Sequence, residues 1–321
     1  MMNKFIIDQY LSRQFAKADM GDFFISVCNF LSASESNREF KSYDVSFIEV
    51  WPVIKSACEY LDIDPKTCCL IPYFEIIDPE PHDLPTVQNE LIIKDDALIH
   101  AVKNTQPIVP PGPKFLHMVG RPSWQRTAIT AWCWYHHRDR IKISYQPSEE
   151  QKEQQGLDGF WRGSRTNNEW KEIFTAWVNR DEETIDDIRD LQNINDLYDS
   201  NFHYGSALPY TDTCLEIVCE TVTENEYCLS EKVIRPILRG RPFVVLAAPK
   251  YLEWLRNKGF DTFNHLWSEL YDQGEHWTRI EETCDTINNI LTNLSYQEIW
   301  DKTRRQCDHN IEILKKLVLE N

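Results

Sequence analysis

The chain has 321 residues, 42% of them apolar, and a formal net charge of −17 with a pI near 5.0. This length is greater than one ordinary α/β layer and predicts two domains with sizeable apolar cores. The acidic balance argues against a broad nucleic-acid-binding face, because phosphate contacts need clustered Lys and Arg, although a local basic channel is compatible with it.

The cysteines and the N-terminus indicate an intracellular protein. The ten cysteines include no C-x-x-C pair, and most lie inside apolar runs, which is typical of buried reduced thiols rather than of disulfides or zinc ligands. Residues 1–22 carry charges throughout, so no signal peptide is expected. No window approaches the ~18 apolar residues that span a bilayer. We therefore expect a soluble, cytoplasmic protein without a membrane segment.

The N-terminal region mixes helical and strand patterns. Residues 4–18 have the spacing of a short amphipathic helix, whereas 23–31 form a short apolar run rich in β-formers. A helix interrupted by a proline is predicted over 45–61, and a strand over 67–77. Residues 90–103 are compatible with either a strand or a helix.

A proline-rich segment follows. Residues 104–114 read NTQPIVPPGPK, with four prolines and one glycine, and cannot form a regular helix or a central strand. We place a domain boundary near residue 110, although the segment could instead be a loop within one larger domain.

After this segment, strands and helices alternate. Strands are predicted at 115–119, 141–146, 215–222 and 242–248. Helices are predicted from Trp124 onward and at 167–179, 182–197, 231–239, 251–258, 275–293 and 296–319, with a solvated polar stretch at 149–159. This alternation predicts an α/β fold with a parallel, Rossmann-like sheet.

The sharpest chemical motif is Ser230-Glu231-Lys232. Serine is a favoured N-cap, so Glu231 and Lys232 fall at the first two positions of a helix. A carboxylate suits a ribose diol, and an ammonium beside free helix N–H groups suits a diphosphate. A plain helix cap with a solvated ion pair is the alternative. Arg235 follows on the same helix and could face a pocket or solvent.

A second motif joins Gly120, Arg121 and Arg126 at the end of a predicted strand. Glycine lets the backbone approach a ligand, and two guanidiniums at a strand–helix junction can clamp phosphate oxygens. Surface arginines on an amphipathic helix are the alternative. Neither a dinucleotide fingerprint nor a Walker loop occurs.

Other polar groups point less clearly to a site. His136 and His137 are adjacent and point apart on a helix. The acidic set Asp261, Glu269 and Asp272 is typical of a solvated loop. No metal-bridged diphosphate is indicated, so we expect neither a metal nor a cofactor.

Residues 230–263, SEKVIRPILRGRPFVVLAAPKYLEWLRNKGFDTF, resemble the donor-binding half of glycosyltransferases related to the fucosyltransferase superfamily, in the branch common in bacteria, phages and giant viruses. The shared features are S-E-K, R-P, an apolar strand, a proline and a helix ending in Gly-Phe. The likeness covers roughly residues 210–285, and Tyr210 and Glu220-Thr221 agree with it. KFLHMVGRPSWQRTAI (114–129) is similar to the same family's arginine segment, although Gly120 stands where the family has asparagine.

The resemblance implies a GT-B architecture of two Rossmann-like domains, with an acceptor-side domain at 1–110, a nucleotide-sugar domain at 111–290 and a C-terminal helix at 291–321 that could pack back on the first. It implies inverting, metal-independent sugar transfer in a bacterial or virus-infected cell. Glu231 would contact the ribose and Lys232, with Arg121 or Arg126, the diphosphate. Glu220, Ser230 and Arg235 complete the donor-binding candidates.

The acceptor is left open between a glycan and 5-hydroxymethylpyrimidine in DNA, as in phage-type DNA modification. Inverting transfer needs a general base, a carboxylate or a histidine. Asp78, at the mouth of a predicted strand, is the candidate, with a structured turn as its alternative role. A non-catalytic interaction module that kept the fold is the rival function.

Overall fold

A computed structural model describes the residues in thirteen segments: 4–7, 20–34, 38–42, 47–72, 75–76, 86–87, 96–108, 111–119, 122–145, 150–181, 185–186, 208–220 and 226–320. The chain divides into two compact units. Unit 1 comprises residues 1–93 and 225–228, and unit 2 comprises 94–224 and 229–321. The proline-rich segment at 104–114, where we predicted the boundary, belongs to unit 2.

The elements are numbered in chain order. The strands are β1 (Lys4–Ile6), β2 (Arg38–Ser42), β3 (Cys68–Pro72), β4 (Glu75–Ile76), β5 (Thr86–Val87), β6 (Lys114–Val119), β7 (Ile141–Tyr145), β8 (Ile185–Asp186), β9 (Thr213–Cys219), β10 (Glu226–Tyr227) and β11 (Phe243–Leu246). The α-helices are α1 (Met20–Ala33), α2 (Phe47–Tyr60), α3 (Asp96–Asn104), α4 (Trp124–His137), α5 (Glu150–Ser164), α6 (Asn168–Val178), α7 (Glu231–Leu238), α8 (Tyr251–Asn257), α9 (His276–Asn293) and α10 (Tyr296–Leu319). Among the described residues, none of these helices combines the length and apolarity needed to cross a bilayer.

Unit 1 is built on a parallel sheet with the order β1-β2-β3-β5. Helix α1 connects β1 to β2, and α2 connects β2 to β3, as in βαβ units. The two helices contact each other, and their apolar faces form one core with the sheet residues Phe40 and Leu70. β4 and β10 form a separate antiparallel pair in the same unit.

Unit 2 contains a five-stranded sheet with the order β11-β9-β6-β7-β8. The first four of these are mutually parallel, and β8 joins the edge antiparallel to β7. Counted along the chain, the order is 3-2-1-4-5, which matches five of the six strands in the 3-2-1-4-5-6 order of a doubly wound dinucleotide-binding sheet. The predicted α/β class with a parallel sheet is therefore confirmed at this level. Helix α10 packs on α3, α7 and β9 within unit 2.

Most predicted elements of unit 2 are confirmed within one to three residues. The strands β6, β7, β9 and β11 and the helices α4, α6, α7, α8, α9 and α10 lie where the alternation placed them. Gly240 follows α7 with φ +64°, a left-handed conformation that glycine adopts without strain, and this explains where the helix ends.

Four predicted elements are wrong. The β-prone run 23–31 lies in α1, because Phe23, Val27 and Leu31 are spaced by one helical turn and bury the same face. The polar stretch 149–159 begins α5, whose second half packs its buried Phe160 against Trp170.

The other two are predicted helices that form strands in their described parts. Residues 4–6 form β1, which pairs with β2, and the rest of the segment 4–18 lies outside the described residues except Ile7. In the segment 182–197, Ile185–Asp186 form β8 on the edge of β7. In both places the pairing with a neighbouring strand overrides the local helical spacing.

Candidate functional site

The strand connections of unit 2 diverge between β6 and β9. β6 leads through α4 to β7 on one side, whereas β9 leads through α7 to β11 on the other. Because β6 and β9 are neighbours, the two crossovers leave a crevice outside their carboxyl ends. In open α/β sheets this switch point is where ligands bind, and both α4 and α7 begin at the same edge.

Ser230 and Glu220 connect the end of β9 to the start of α7. The hydroxyl of Ser230 accepts the N–H of Lys232 at 3.1 Å, the predicted N-cap, and donates to Oε1 of Glu220 at 2.6 Å. Glu220 follows β9 directly, is 1% exposed, and donates its backbone N–H to the Leu246 carbonyl at 2.9 Å. The sheet thus sets the position of the carboxylate that holds the cap.

Lys232 places an ammonium between two carboxylates. Its Nζ lies 2.7 Å from Oε1 of Glu231 and 3.8 Å from Oε2 of Glu220. The side chains of Glu231 and Lys232 are 28% and 14% exposed, so both reach the surface in part. Burial would raise the pKa of Glu231, but Lys232 outweighs it and lowers this pKa to about 2. Glu231 is therefore a carboxylate at neutral pH.

Arg235 pairs with a carboxylate in the middle of β9. Its Nη2 lies 3.3 Å from Oε1 of Glu216, and the hydroxyl of Tyr210 donates to the other oxygen of the same carboxylate. Glu216 is 1% exposed, and burial raises its pKa to about 7 against the opposing effects of Arg235 and Tyr210. Arg235 thus anchors α7 to β9, one turn beyond Lys232.

Arg126 reaches the same strand end from α4. Its Nε donates to the Cys219 carbonyl at 3.1 Å, and the side chain is almost fully buried. The backbone N–H of Arg126 is capped by Ser123 at 3.4 Å. Since Cys219 precedes Glu220, the structure brings the second predicted motif, through Arg126, next to the first.

His117 fixes β6 against β9 below this edge. Its Nδ1 donates to the Ile217 carbonyl at 2.9 Å, because a carbonyl can only accept, and its Nε2 lies 3.0 Å from Oγ1 of Thr130 on α4. Burial lowers the pKa of His117 to about 4, so the ring is neutral at pH 7. His117 thus holds the two strands that form the crevice and helix α4 in fixed positions relative to one another.

Three of the predicted site residues, Gly120, Arg121 and Asp78, lie outside the described residues.

Within the acidic set Asp261, Glu269 and Asp272, two carboxylates have structural roles. Glu269 pairs with Arg256 at 2.8 Å and accepts the backbone N–H of Phe263, whereas Asp272 accepts the N–H of Leu252 in the first turn of α8. Within the described part of the chain, no three His, Cys, Asp or Glu side chains are grouped as metal ligands.

Sequence reasoning did not identify Glu216 as part of this site. The signal was present, because a carboxylate in the otherwise apolar strand CLEIVC must be paired when it is buried. Which cation and which hydroxyl pair with it depended on the fold, since Arg235 is 19 residues away.

The site combines groups that recognise hydroxyls with groups that recognise anions. Glu231 offers carboxylate oxygens that can accept from hydroxyls, while Lys232 and the N–H groups of the first turn of α7 favour negative charge. Comparisons with known protein families, with curated proteins and with solved structures find no match to this chain. What the site does is therefore inferred from its geometry and chemistry.

Proposed function

We propose that the protein is a glycosyltransferase that moves a sugar from a nucleotide-sugar donor to an acceptor hydroxyl. The observation that carries the proposal is the convergence of Glu220, Ser230, Glu231 and Lys232 at the switch point of a doubly wound sheet. The resemblance of residues 230–263 to the donor-binding half of fucosyltransferase-like enzymes points to the same edge of the sheet. A GT-B arrangement with the donor in the C-terminal half is part of this proposal.

In this proposal Glu231 accepts hydrogen bonds from the two ribose hydroxyls of the donor. It is ionised at neutral pH and partly exposed, as such a role requires. Lys232 binds the diphosphate, and the positive end of the α7 dipole adds to the attraction. Glu220 and Ser230 act indirectly, because their mutual hydrogen bond positions the first turn of α7, which carries Glu231 and Lys232.

Transfer forms a bond between the acceptor oxygen and the anomeric carbon while the bond from that carbon to the diphosphate breaks. The leaving diphosphate gains negative charge, which Lys232 stabilises electrostatically. The proton of the acceptor hydroxyl passes to a general base, for which Asp78 is the candidate from sequence. The configuration at the anomeric carbon is inverted.

The ion pair between Lys232 and Glu231 must rearrange when the donor binds. In the structure the ammonium contacts Glu231 at 2.7 Å, the distance of a charge-assisted hydrogen bond. A diphosphate would take over this ammonium and leave the Glu231 carboxylate to the ribose. In the structure the two groups proposed to bind the donor are thus paired with each other.

The decisive experiment is a donor screen followed by one substitution. Thermal-shift and donor-hydrolysis assays with UDP, GDP, dTDP and CMP sugars should identify one base whose nucleotide stabilises the protein. With that donor, Lys232→Ala should lower transfer by about 10²–10³-fold, because the leaving-group charge loses its cation. The assay should offer both acceptor classes, a glycan and 5-hydroxymethylated DNA.

The matched control is Lys302→Ala. Lys302 is also a helical lysine paired with a glutamate, at 3.7 Å from Glu298, and its side chain is 51% exposed on α10. It should leave transfer unchanged. A fully active Lys232→Ala protein would overturn the donor site. If no nucleotide binds and no donor is hydrolysed, the non-catalytic interaction module is the better explanation.

A further inference from the structure

Two cysteines of unit 1 lie in contact where α2 ends and β3 begins. The Sγ atoms of Cys58 and Cys68 are 3.8 Å apart. Cys58 belongs to the last turn of α2, and Cys68 is the first residue of β3. Both are free thiols in the structure. Because a disulfide joins its two sulfurs at ~2.05 Å, the pair has to close by only about 2 Å to form one.

The backbone between the two cysteines holds them in this arrangement. Ile63 donates its N–H to the Cys58 carbonyl at 2.9 Å, which turns the chain at the end of α2. Asp64 then caps a short 3₁₀ turn, Pro65–Thr67, which leads directly into Cys68. The two cysteines are ten positions apart in the chain. This ordered connection keeps their sulfurs within reach of each other.

Cys58 is the more nucleophilic sulfur of the pair. The hydrogen bond with Cys68 lowers the pKa of Cys58, and the nearby Arg38 guanidinium lowers it further, against the opposing effect of burial. Arg38 is held beside the pair by its hydrogen bond to Oγ1 of Thr67 at 2.9 Å and by its register with Cys68 in the sheet. Since the thiolate is the reactive form of cysteine, Cys58 is the sulfur that meets an oxidant first.

The surroundings of the pair select a small oxidant. Cys58 is 0% exposed and Cys68 is 2% exposed, so a bulky disulfide reagent cannot reach either sulfur in the folded protein. The residues between them, 59–67, are exposed or half-buried throughout, so the pair lies close to the surface. Hydrogen peroxide is small enough to reach such a position through local opening of the turn.

We propose that Cys58 and Cys68 form a reversible, peroxide-sensitive dithiol site. The Cys58 thiolate attacks one oxygen of hydrogen peroxide, the O–O bond breaks, and hydroxide leaves a sulfenic acid on Cys58. The Cys68 thiol then attacks this sulfur, and the sulfenic hydroxyl leaves with the Cys68 proton as water. In total the two thiols lose two electrons, and one peroxide is reduced to two waters.

The resulting bond would tie the end of α2 to the start of β3, and a thiol reductant would reverse it. The dithiol site lies in unit 1 and uses neither the donor site nor the proposed sugar transfer. Its readout is a covalent bond, so it can be tested without an activity assay.

The test is peptide mapping of the full-length protein by mass spectrometry after treatment with hydrogen peroxide and blocking of the remaining thiols. We expect tryptic peptide 56–66 to be linked to peptide 67–94, at about 2 Da below their summed mass, and dithiothreitol to separate them. Because Cys68 and Cys69 share the second peptide, fragmentation of the linked wild-type pair identifies the sulfur that is bonded.

Cys69→Ala is the matched control for Cys68→Ala. Cys69 neighbours Cys68 on β3, but its side chain points to the opposite face of the sheet. The control should form the linked pair as the wild type does, whereas Cys68→Ala should lose it. The proposal is overturned if no linked pair forms, if Cys68→Ala retains it, or if Cys58 bonds instead to Cys28, the other cysteine close enough to interact with it. Oxidation of Cys58 to a sulfinic acid without a bond would overturn it as well.

Discussion

Glu216, Glu220 and Arg126 are charged residues that the fold buries along β9 and at its carboxyl end. Their exposed fractions are 1%, 1% and 4%. A buried charge is tolerated only with partners, and each of these has one on a different element. The polar contacts therefore determine how α4 and α7 approach the strand, and removing one partner should be costly.

Glu216 makes the stability of the protein depend on pH. Burial raises its pKa from 4.5 to about 7, so the folded protein holds this proton more tightly than the unfolded chain does. The contribution to stability is complete below about pH 4.5 and is lost as the pH rises through about 7. In the Glu216→Gln variant the side chain at position 216 cannot titrate, so the variant should not show this loss of stability.

Urea unfolding of the wild type and of Glu216→Gln, at about pH 4 and about pH 8, measures the effect. The advantage in unfolding free energy of the wild type over the variant should shrink by about 3 kcal/mol between the two conditions. Asp272 also titrates near pH 7, but it is present in both proteins and cancels in the difference. A difference that stays constant with pH would contradict the assignment.

At the scale of the element, α7 depends on contacts beyond its own eight residues. Its cap, Ser230, satisfies a backbone N–H as any N-cap does, but it also donates to a buried carboxylate. The sequence predicted the cap and the end of the helix at Gly240, because both depend on local backbone geometry. The bond from Ser230 to Glu220 was not predictable, because strand and helix meet only in the fold.

Ser230→Ala should lower the unfolding free energy by about 2 kcal/mol, since both the cap and one hydrogen bond to Glu220 are lost. Ser295→Ala is the matched control. Ser295 caps α10 by a capping box with the exposed Glu298, so its loss should cost only about 1 kcal/mol. Equal costs in urea unfolding would show that the Glu220 contact contributes nothing.

The same contrast explains the predicted elements that were wrong. The first half of α5 is polar in sequence, which gave no sign that the helix is packed. Near its end, Gly163 lets α5 approach Trp277 so closely that any side chain at position 163 would overlap the ring. Local composition carried no sign of this contact. In α1 the helical spacing of Phe23, Val27 and Leu31 was present, but β-favouring residues outweighed it in the prediction.

At the scale of the whole molecule, the net charge of −17 bears on the mechanism that we propose for sugar transfer. In the proposed mechanism the charge on the leaving group is balanced by Lys232 and by the helix N-terminus. In the same proposal the acidic net charge weighs against DNA as the acceptor, because DNA would require a local basic groove.

Transfer should therefore continue when divalent ions are removed. We expect the initial rate of sugar transfer in excess EDTA to stay within about twofold of the rate with added Mg²⁺. The same preparation, with Mg²⁺ restored, is the control for enzyme loss. Strict dependence on an added metal would contradict a mechanism in which side chains balance the charge.

The sequence by itself determined what depends on neighbours along the chain. The alternation of strands and helices after residue 114, the cap at Ser230 and the end of α7 all follow from local periodicity and backbone conformation. Only the tertiary structure decided that β9 lies beside β6, that Arg126 reaches Cys219, and that Arg235 pairs with Glu216. These contacts join residues up to 100 positions apart, and they form because buried charges and strand edges need partners that the local sequence does not specify.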